Sequence, residues 1–265
     1  MADKSLPFNK VQIQQIINKF PTPFHIYDEA AIRANARRLT KAFAWAPAFK
    51  EYFAVKATPN PTLLKILAEE GFGADCSSLP ELLLADMSGI KGEDIILTSN
   101  DTPADEFQKA IDLGAVINLD DITHIEYLEK NVRLPEFISF RYNPGPLLES
   151  SNTIIGKPEE AKYGLTREQL FEAYKIVKEK GVKRFGLHTM VISNELNADC
   201  FIATAQMMFE LAVELKQQLD IDLEFVNLGG GVGIPYTPEQ EEVDLEYVGA
   251  GIQKVYQNTI EKNNL

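Results

Sequence analysis

Lys56 closes an apolar run formed by Tyr52, Phe53, Ala54 and Val55, and Pro59 and Pro61 follow it closely. An amine in that position has two uses. Its stem can pack on a strand end while the ammonium reaches water, or it can be desolvated in a cavity and act as a Schiff-base nucleophile. The prolines restrict the backbone beyond it, which suits a lysine that must be held in position. A second feature, Gly229, Gly230 and Gly231, can be a plain flexible connection. It can equally let backbone N–H groups approach a phosphate with no side chain in the way. It is not a dinucleotide-binding turn, since GGGVGI at 229–234 has no glycine in the sixth place, and no Gly-Lys-Ser/Thr follows to make a P-loop.

Asp75 (with Ser77 and Ser78), Arg141 (with Asn143) and His188 (followed by Ser193) complete the reactive set, with Ser99 and Asn100 beside them. Arg141 is costly to bury unpaired, so it needs an acid or a ligand anion; Asp75 could serve it or serve Lys56. His188 can stack on a planar ligand, trade protons or be structural, whereas His25 and His124 read as structural. The acidic residues Glu159, Glu160 and Glu239 to Glu242 read as solvated charges. Together, an amine, an acid, an arginine, a histidine and a glycine loop suggest a pocket for an anionic ligand with a reactive carbonyl.

The elements that must position these residues alternate along the chain. Apolar runs at 50–55, 73–76, 94–98, 115–119, 136–142, 184–188 and 223–228 read as strands. Helical patterns lie between them at 61–71, 79–89, 103–114, 121–131, 167–181 and 199–219, with a last helix at about 244–263 and a separate N-terminal helix within 1–20. Pro61, Pro80 and Pro103 mark helix starts, Gly71, Gly114 and Gly181 mark stops, and Asp121 is a plausible N-cap. Repeated strand–helix units with doubly apolar strands predict a parallel sheet of the TIM (β/α)8 type, one strand short of closure, over residues 21–265. In that architecture the strand C-termini carry the chemistry, and all the candidate residues lie there.

With 45% hydrophobic residues in 265, a sizeable core needs no disulfide or metal. A net charge of −13 argues against a nucleic-acid partner. Cys76 and Cys200 are too few and too far apart for a metal cluster or a disulfide framework, which points to a reducing, cytoplasmic setting. No signal-peptide core and no membrane-length apolar run is present.

The sequence resembles the fold-type III pyridoxal-phosphate decarboxylases, and within them the diaminopimelate decarboxylase branch. The resemblance rests on the motifs YFAVKATPN at 52–60, ADCSSLPEL at 74–82, SFRYNPG at 139–145, KYGL at 162–165, GLH at 186–188 and VNLGGGVGIPY at 226–236. It implies pyridoxal 5'-phosphate as cofactor, bound by Lys56, with Asp75 and Glu81 near the lysine, Arg141 lining the pocket, and Ser193 with Gly229 to Gly231 on the phosphate. It also implies decarboxylation of meso-2,6-diaminopimelate to L-lysine. Alternatives are a carboxynorspermidine, arginine or ornithine decarboxylase, or a non-catalytic relative.

Two departures stand out. The family's His-x-His-Ile-Gly-Ser is here HTMVIS at 188–193, so its ring-stacking histidine falls at Met190 and its glycine at Ile192. Stacking would then pass to His188 or to a sulfur contact. The family's Glu-x-Gly-Arg strand and its C-terminal β domain, which normally complete a homodimer's shared sites, are absent from these 265 residues, so this chain reads as the barrel portion and is expected to be inactive alone. Residues 24–28 would pair with that domain.

Overall fold

A computed structural model describes residues 6–145 and 163–265. Seven parallel strands form one sheet in chain order: β1 (Tyr52–Ala54), β2 (Gly73–Cys76), β3 (Ile95–Ser99), β4 (Val116–Leu119), β5 (Phe137–Tyr142), β6 (Arg184–Thr189) and β7 (Leu223–Asn227). Each is followed by a helix, in order α3 (Pro61–Glu69), α4 (Leu79–Met87), α5 (Ala104–Leu113), α6 (Thr123–Asn131), α7 (Arg167–Glu179), α8 (Ala198–Leu219) and α9 (Leu245–Thr259). This is the expected barrel in open form. Among the described residues no strand joins β1 to β7.

Local chemistry sets the helix ends where the sequence placed them. Pro61 and Pro80 occupy the first two helical positions of α3 and α4, and Gly71, Gly114 and Gly181 have positive φ just past their helices. Asp121 caps slightly early: its Oδ1 accepts from the Thr123 N–H at 2.8 Å, one residue before the assigned cap.

Helix α1 (Lys10–Lys19) lies within the predicted N-terminal helix and buries no residue. Residues 24–28 form no strand but lead into α2 (Glu29–Ala42), a helix absent from the expectation. Asp28 starts it by accepting from the Ala31 N–H at 3.1 Å. Its apolar stripe, Ile32, Ala36 and Leu39, packs with Leu67, Phe72 and Phe53. Arg33 and Arg37 clamp Glu70 at the end of α3. On its other side α2 meets α9, where a side chain on Gly249 would collide with the Ala42 carbonyl, so only glycine permits this helix approach.

The core lies mainly between sheet and helices: Ala74, Cys76, Ile95, Leu97, Ile117, Leu119, Ile138, Phe140 and Leu187 are nearly inaccessible. Side chains alternate along each strand, and register aligns Thr98 with Asn118, Arg141 with His188, and His188 with Asn227. The opposite face, inside the curl of the sheet, therefore carries Asp75, Thr98, Asn118, Arg141, His188 and Asn227. The core packs on one side and the polar set is held on the other.

Candidate active site

Lys56 sits two residues past β1, in a one-turn 3-10 helix, Val55–Ala57. Val55 is fully buried and anchors the turn, while Lys56 itself is exposed. Its charge is nevertheless felt inside the curl, at both Asp75 and His188.

Asp75 lies on β2 beside Ala54 of β1. It keeps some exposure, but its carboxylate is closely ringed by protein atoms, and this desolvation raises its pKa to about 6. Lys56 opposes the rise, Glu81 adds to it, and the neighbouring Thr98 and the charge of Arg141 oppose it. Glu51, just before β1, is pushed up to about 7 by burial and then by Asp75. Glu81 in the first turn of α4 accepts from the Ser77 N–H at 2.9 Å and the Ser78 hydroxyl at 3.1 Å. It thereby holds the turn that follows Asp75.

Arg141 on β5 does not pair with Asp75. Its Nη1 donates to Asp120 Oδ1 at 3.1 Å, its Nη2 to the Met190 carbonyl at 3.4 Å, and its guanidinium lies 5.1 Å from the Tyr163 ring centroid. The KYGL motif holds this strand end: Leu165 donates to the Arg141 carbonyl and accepts from the Asn143 N–H. Lys162 of that motif, with Glu159 and Glu160, lies outside the described residues.

His188 is buried in the wall, with Nδ1 3.0 Å from Asn118 Nδ2. Burial, then Arg141 and Lys56, holds its pKa down to about 3, so the ring is neutral. The Met190 sulfur packs over Gly229, where a side chain would meet it at 3.2 Å. Ile192, standing where the family has glycine, is 7% exposed and anchors its loop with Val191 in the α8–α9 core.

The glycine loop fits a phosphate cradle. Gly229, Gly230 and Gly231 all have positive φ, at 88°, 133° and 82°. Side chains on Gly229 and Gly231 would strike the Thr189 and Ile192 carbonyls, so this loop can lie against the one after β6 only as glycine. The two loops are tied by Glu195 N–H to the Gly231 carbonyl at 3.0 Å and Gly233 N–H to the Glu195 carbonyl at 2.8 Å. Ser193 therefore stands beside Gly231. Above Gly230 there is open space, and the Gly230 and Gly231 N–H groups have no acceptor among the described residues. With cationic Lys56 and Arg141 on the same rim, these groups suit a phosphorylated ligand with a carbonyl for the amine.

Sequence reasoning missed Asp120, Asn118, Thr98 and Glu51. The first two belong to β4 and its end, and applying the strand-end rule to that strand would have found Asp120.

Comparison with known proteins agrees with this geometry. Residues 29–264 match the family described as pyridoxal-dependent decarboxylase, pyridoxal binding domain. The chain is 36% identical over 251 residues to Protein TabA of Pseudomonas amygdali pv. tabaci, covering 95% of this chain and 59% of that protein. It is 31% identical over 252 residues to the diaminopimelate decarboxylase of Methanothermobacter thermautotrophicus, covering 95% and 59%. The diaminopimelate decarboxylase of Helicobacter pylori, crystallised with L-lysine, superimposes with a TM-score of 0.84 at 27% identity, covering 92% of this chain and 63% of that one. The chain thus spans 59% of the length of the two curated relatives.

Proposed function

The chain belongs to the pyridoxal-dependent decarboxylase family, and we propose that Lys56 is its cofactor lysine in an amino-acid decarboxylase acting on meso-2,6-diaminopimelate. The observation that carries this reading is the exposed Lys56 amine, electrostatically coupled to Asp75 and His188 on the rim that also holds the glycine cradle. Pyridoxal phosphate, when bound, supplies the electron sink that makes loss of CO2 from an α-carbon feasible.

The protein's residues divide the remaining work. The N–H groups of Gly230 and Gly231, with the Ser193 hydroxyl, would take the phosphate. Arg141, braced by Asp120, keeps positive charge on the rim without needing a ligand anion to neutralise it. Asp75 places negative charge beside Lys56 and orients its amine. His188, neutral and buried, adds a polar ring that carries no charge to compete with the cations. Glu81 fixes the Ser77–Ser78 turn so that Asp75 does not drift. Small-molecule amino-acid substrate, homodimeric assembly and cytoplasmic location belong to the same reading.

A second reading is another amino-acid or polyamine decarboxylase of the same family, since the chain is 36% identical to TabA, a protein not named as a diaminopimelate decarboxylase, and 31% identical to the Methanothermobacter enzyme.

The test is to load the protein with pyridoxal phosphate, reduce with borohydride and map the pyridoxyl label by mass spectrometry. Label on Lys56 that vanishes in Lys56→Ala supports the assignment; label retained in Lys56→Ala overturns it. Release of CO2 from meso-diaminopimelate, compared with ornithine, arginine and carboxynorspermidine, decides between the substrates.

A further inference from the structure

Asn227 ends β7, and its side chain folds forward onto the glycine loop: Oδ1 accepts the Gly229 N–H at 2.9 Å. A backbone N–H can only donate, so the amide atom that meets it is the oxygen. Two further bonds tie the loop, Glu195 N–H to the Gly231 carbonyl and Gly233 N–H to the Glu195 carbonyl. Both of these run from main chain to main chain, whereas the tie at Gly229 is supplied by a side chain.

These three ties determine which donors the loop presents. Asn227 takes the Gly229 N–H, and Glu195 takes the Gly231 carbonyl. Gly230 and Gly231 keep their N–H groups without an acceptor among the described residues, beside the open space over Gly230. Asn227 is itself placed by register with His188 on β6. On its other side β7 pairs with no strand among the described residues, so the start of the loop gets no support from there. Glycines can adopt many other conformations, and a bond at the first of them removes part of that freedom. An amide suits this task, since it accepts as a carboxylate does but sets no negative charge beside an anion.

We propose that Asn227 is a positioning residue for the phosphate cradle: it holds the first glycine so that the second and third offer their N–H groups to a phosphoryl group. Asn227 acts through Gly229 and not by touching the ligand. The phosphate part of this inference rests on the pyridoxal phosphate reading above, whereas the hold on Gly229 belongs to the protein alone. Gly229 is exposed, so water competes for the bond and the expected effects are those of a single hydrogen bond.

Two measurements test it: amide hydrogen exchange of the cofactor-free protein by NMR, and fluorescence titration with pyridoxal phosphate and with pyridoxal. In Asn227→Ala the Gly229 amide is expected to exchange faster. Pyridoxal phosphate affinity is expected to fall roughly two- to tenfold, the range one hydrogen bond supplies. Pyridoxal, which lacks the phosphate, is expected to bind wild type and variant equally. Asn227→Asp keeps an acceptor and is expected to protect the Gly229 amide as the wild type does. Unchanged exchange at Gly229 in Asn227→Ala overturns the proposal, as does an equal loss of affinity for pyridoxal phosphate and pyridoxal. Asn227→Leu has nearly the same shape without the acceptor, and it decides the matter where Asn227→Ala does not fold. A wild type that binds neither compound refutes the cofactor reading and with it the phosphate role, while the exchange result still decides the hold on Gly229.

Discussion

Arg141 Nη1 lies 3.1 Å from Asp120 Oδ1, with the two side chains 15% and 3% exposed. This pair joins the end of β5 to the end of β4 and leaves Asp75 free for Lys56. Breaking a buried pair by deleting one partner strands the other charge, at a typical cost of about 3–5 kcal/mol. Asp120→Ala should therefore lower stability by about that much, less what residual solvent at Arg141 recovers. Urea unfolding measures it, and a loss within the error of the method would show that Arg141 does not depend on Asp120.

The two raised carboxyls give the protein a pH-dependent stability. Asp75 titrates at about 6 and Glu51 at about 7 in the folded state, both above the ordinary carboxyl range. Each binds its proton more tightly when folded, so its stabilising contribution is complete below the unfolded value near 4. That contribution is lost as pH rises through the folded values. Urea midpoints should fall between about pH 4 and 7, and Asp75→Asn and Glu51→Gln should each flatten the fall. An equally steep fall in both variants would refute this.

The glycine loop predicts a graded effect of alanine. Gly229→Ala and Gly231→Ala combine positive φ with a collision against a backbone carbonyl, whereas Gly230→Ala meets only the unfavourable φ. Strained φ alone costs about 1–3 kcal/mol. Pyridoxal phosphate affinity, followed by fluorescence titration, should drop roughly tenfold or more for Gly229→Ala and Gly231→Ala, each factor of ten being about 1.4 kcal/mol. Gly230→Ala should be milder; equal losses at all three positions would contradict the cradle geometry.

Glu81 predicts a separable defect. Glu81→Ala removes the acceptor for the Ser77 N–H and the Ser78 hydroxyl, and losing such helix-start bonds costs about 0.5–2 kcal/mol. Melting temperature should fall modestly while amide exchange at Ser77 accelerates. Unchanged exchange there would mean that the turn is held by something else.

The alternation of strands and helices, the helix stops and the gathering of Lys56, Asp75, Arg141, His188 and the glycine loop at one sheet end were all legible in the sequence. These are consequences of local pattern: a parallel sheet with outside helices has one chemically useful rim, and period and punctuation suffice to find it. Helix α2 escaped because its apolar stripe of Ile32, Ala36 and Leu39 is short and set among charges, and its burial depends on α3 and α9, which lie far along the chain. What only the tertiary structure decided is partnership. Arg141 takes Asp120, Asn118 bridges Thr98 and His188, and Met190 lies on Gly229, because inter-strand register and loop contact determine who meets whom. Register is set by the packing of the whole sheet, and no local run of residues encodes it.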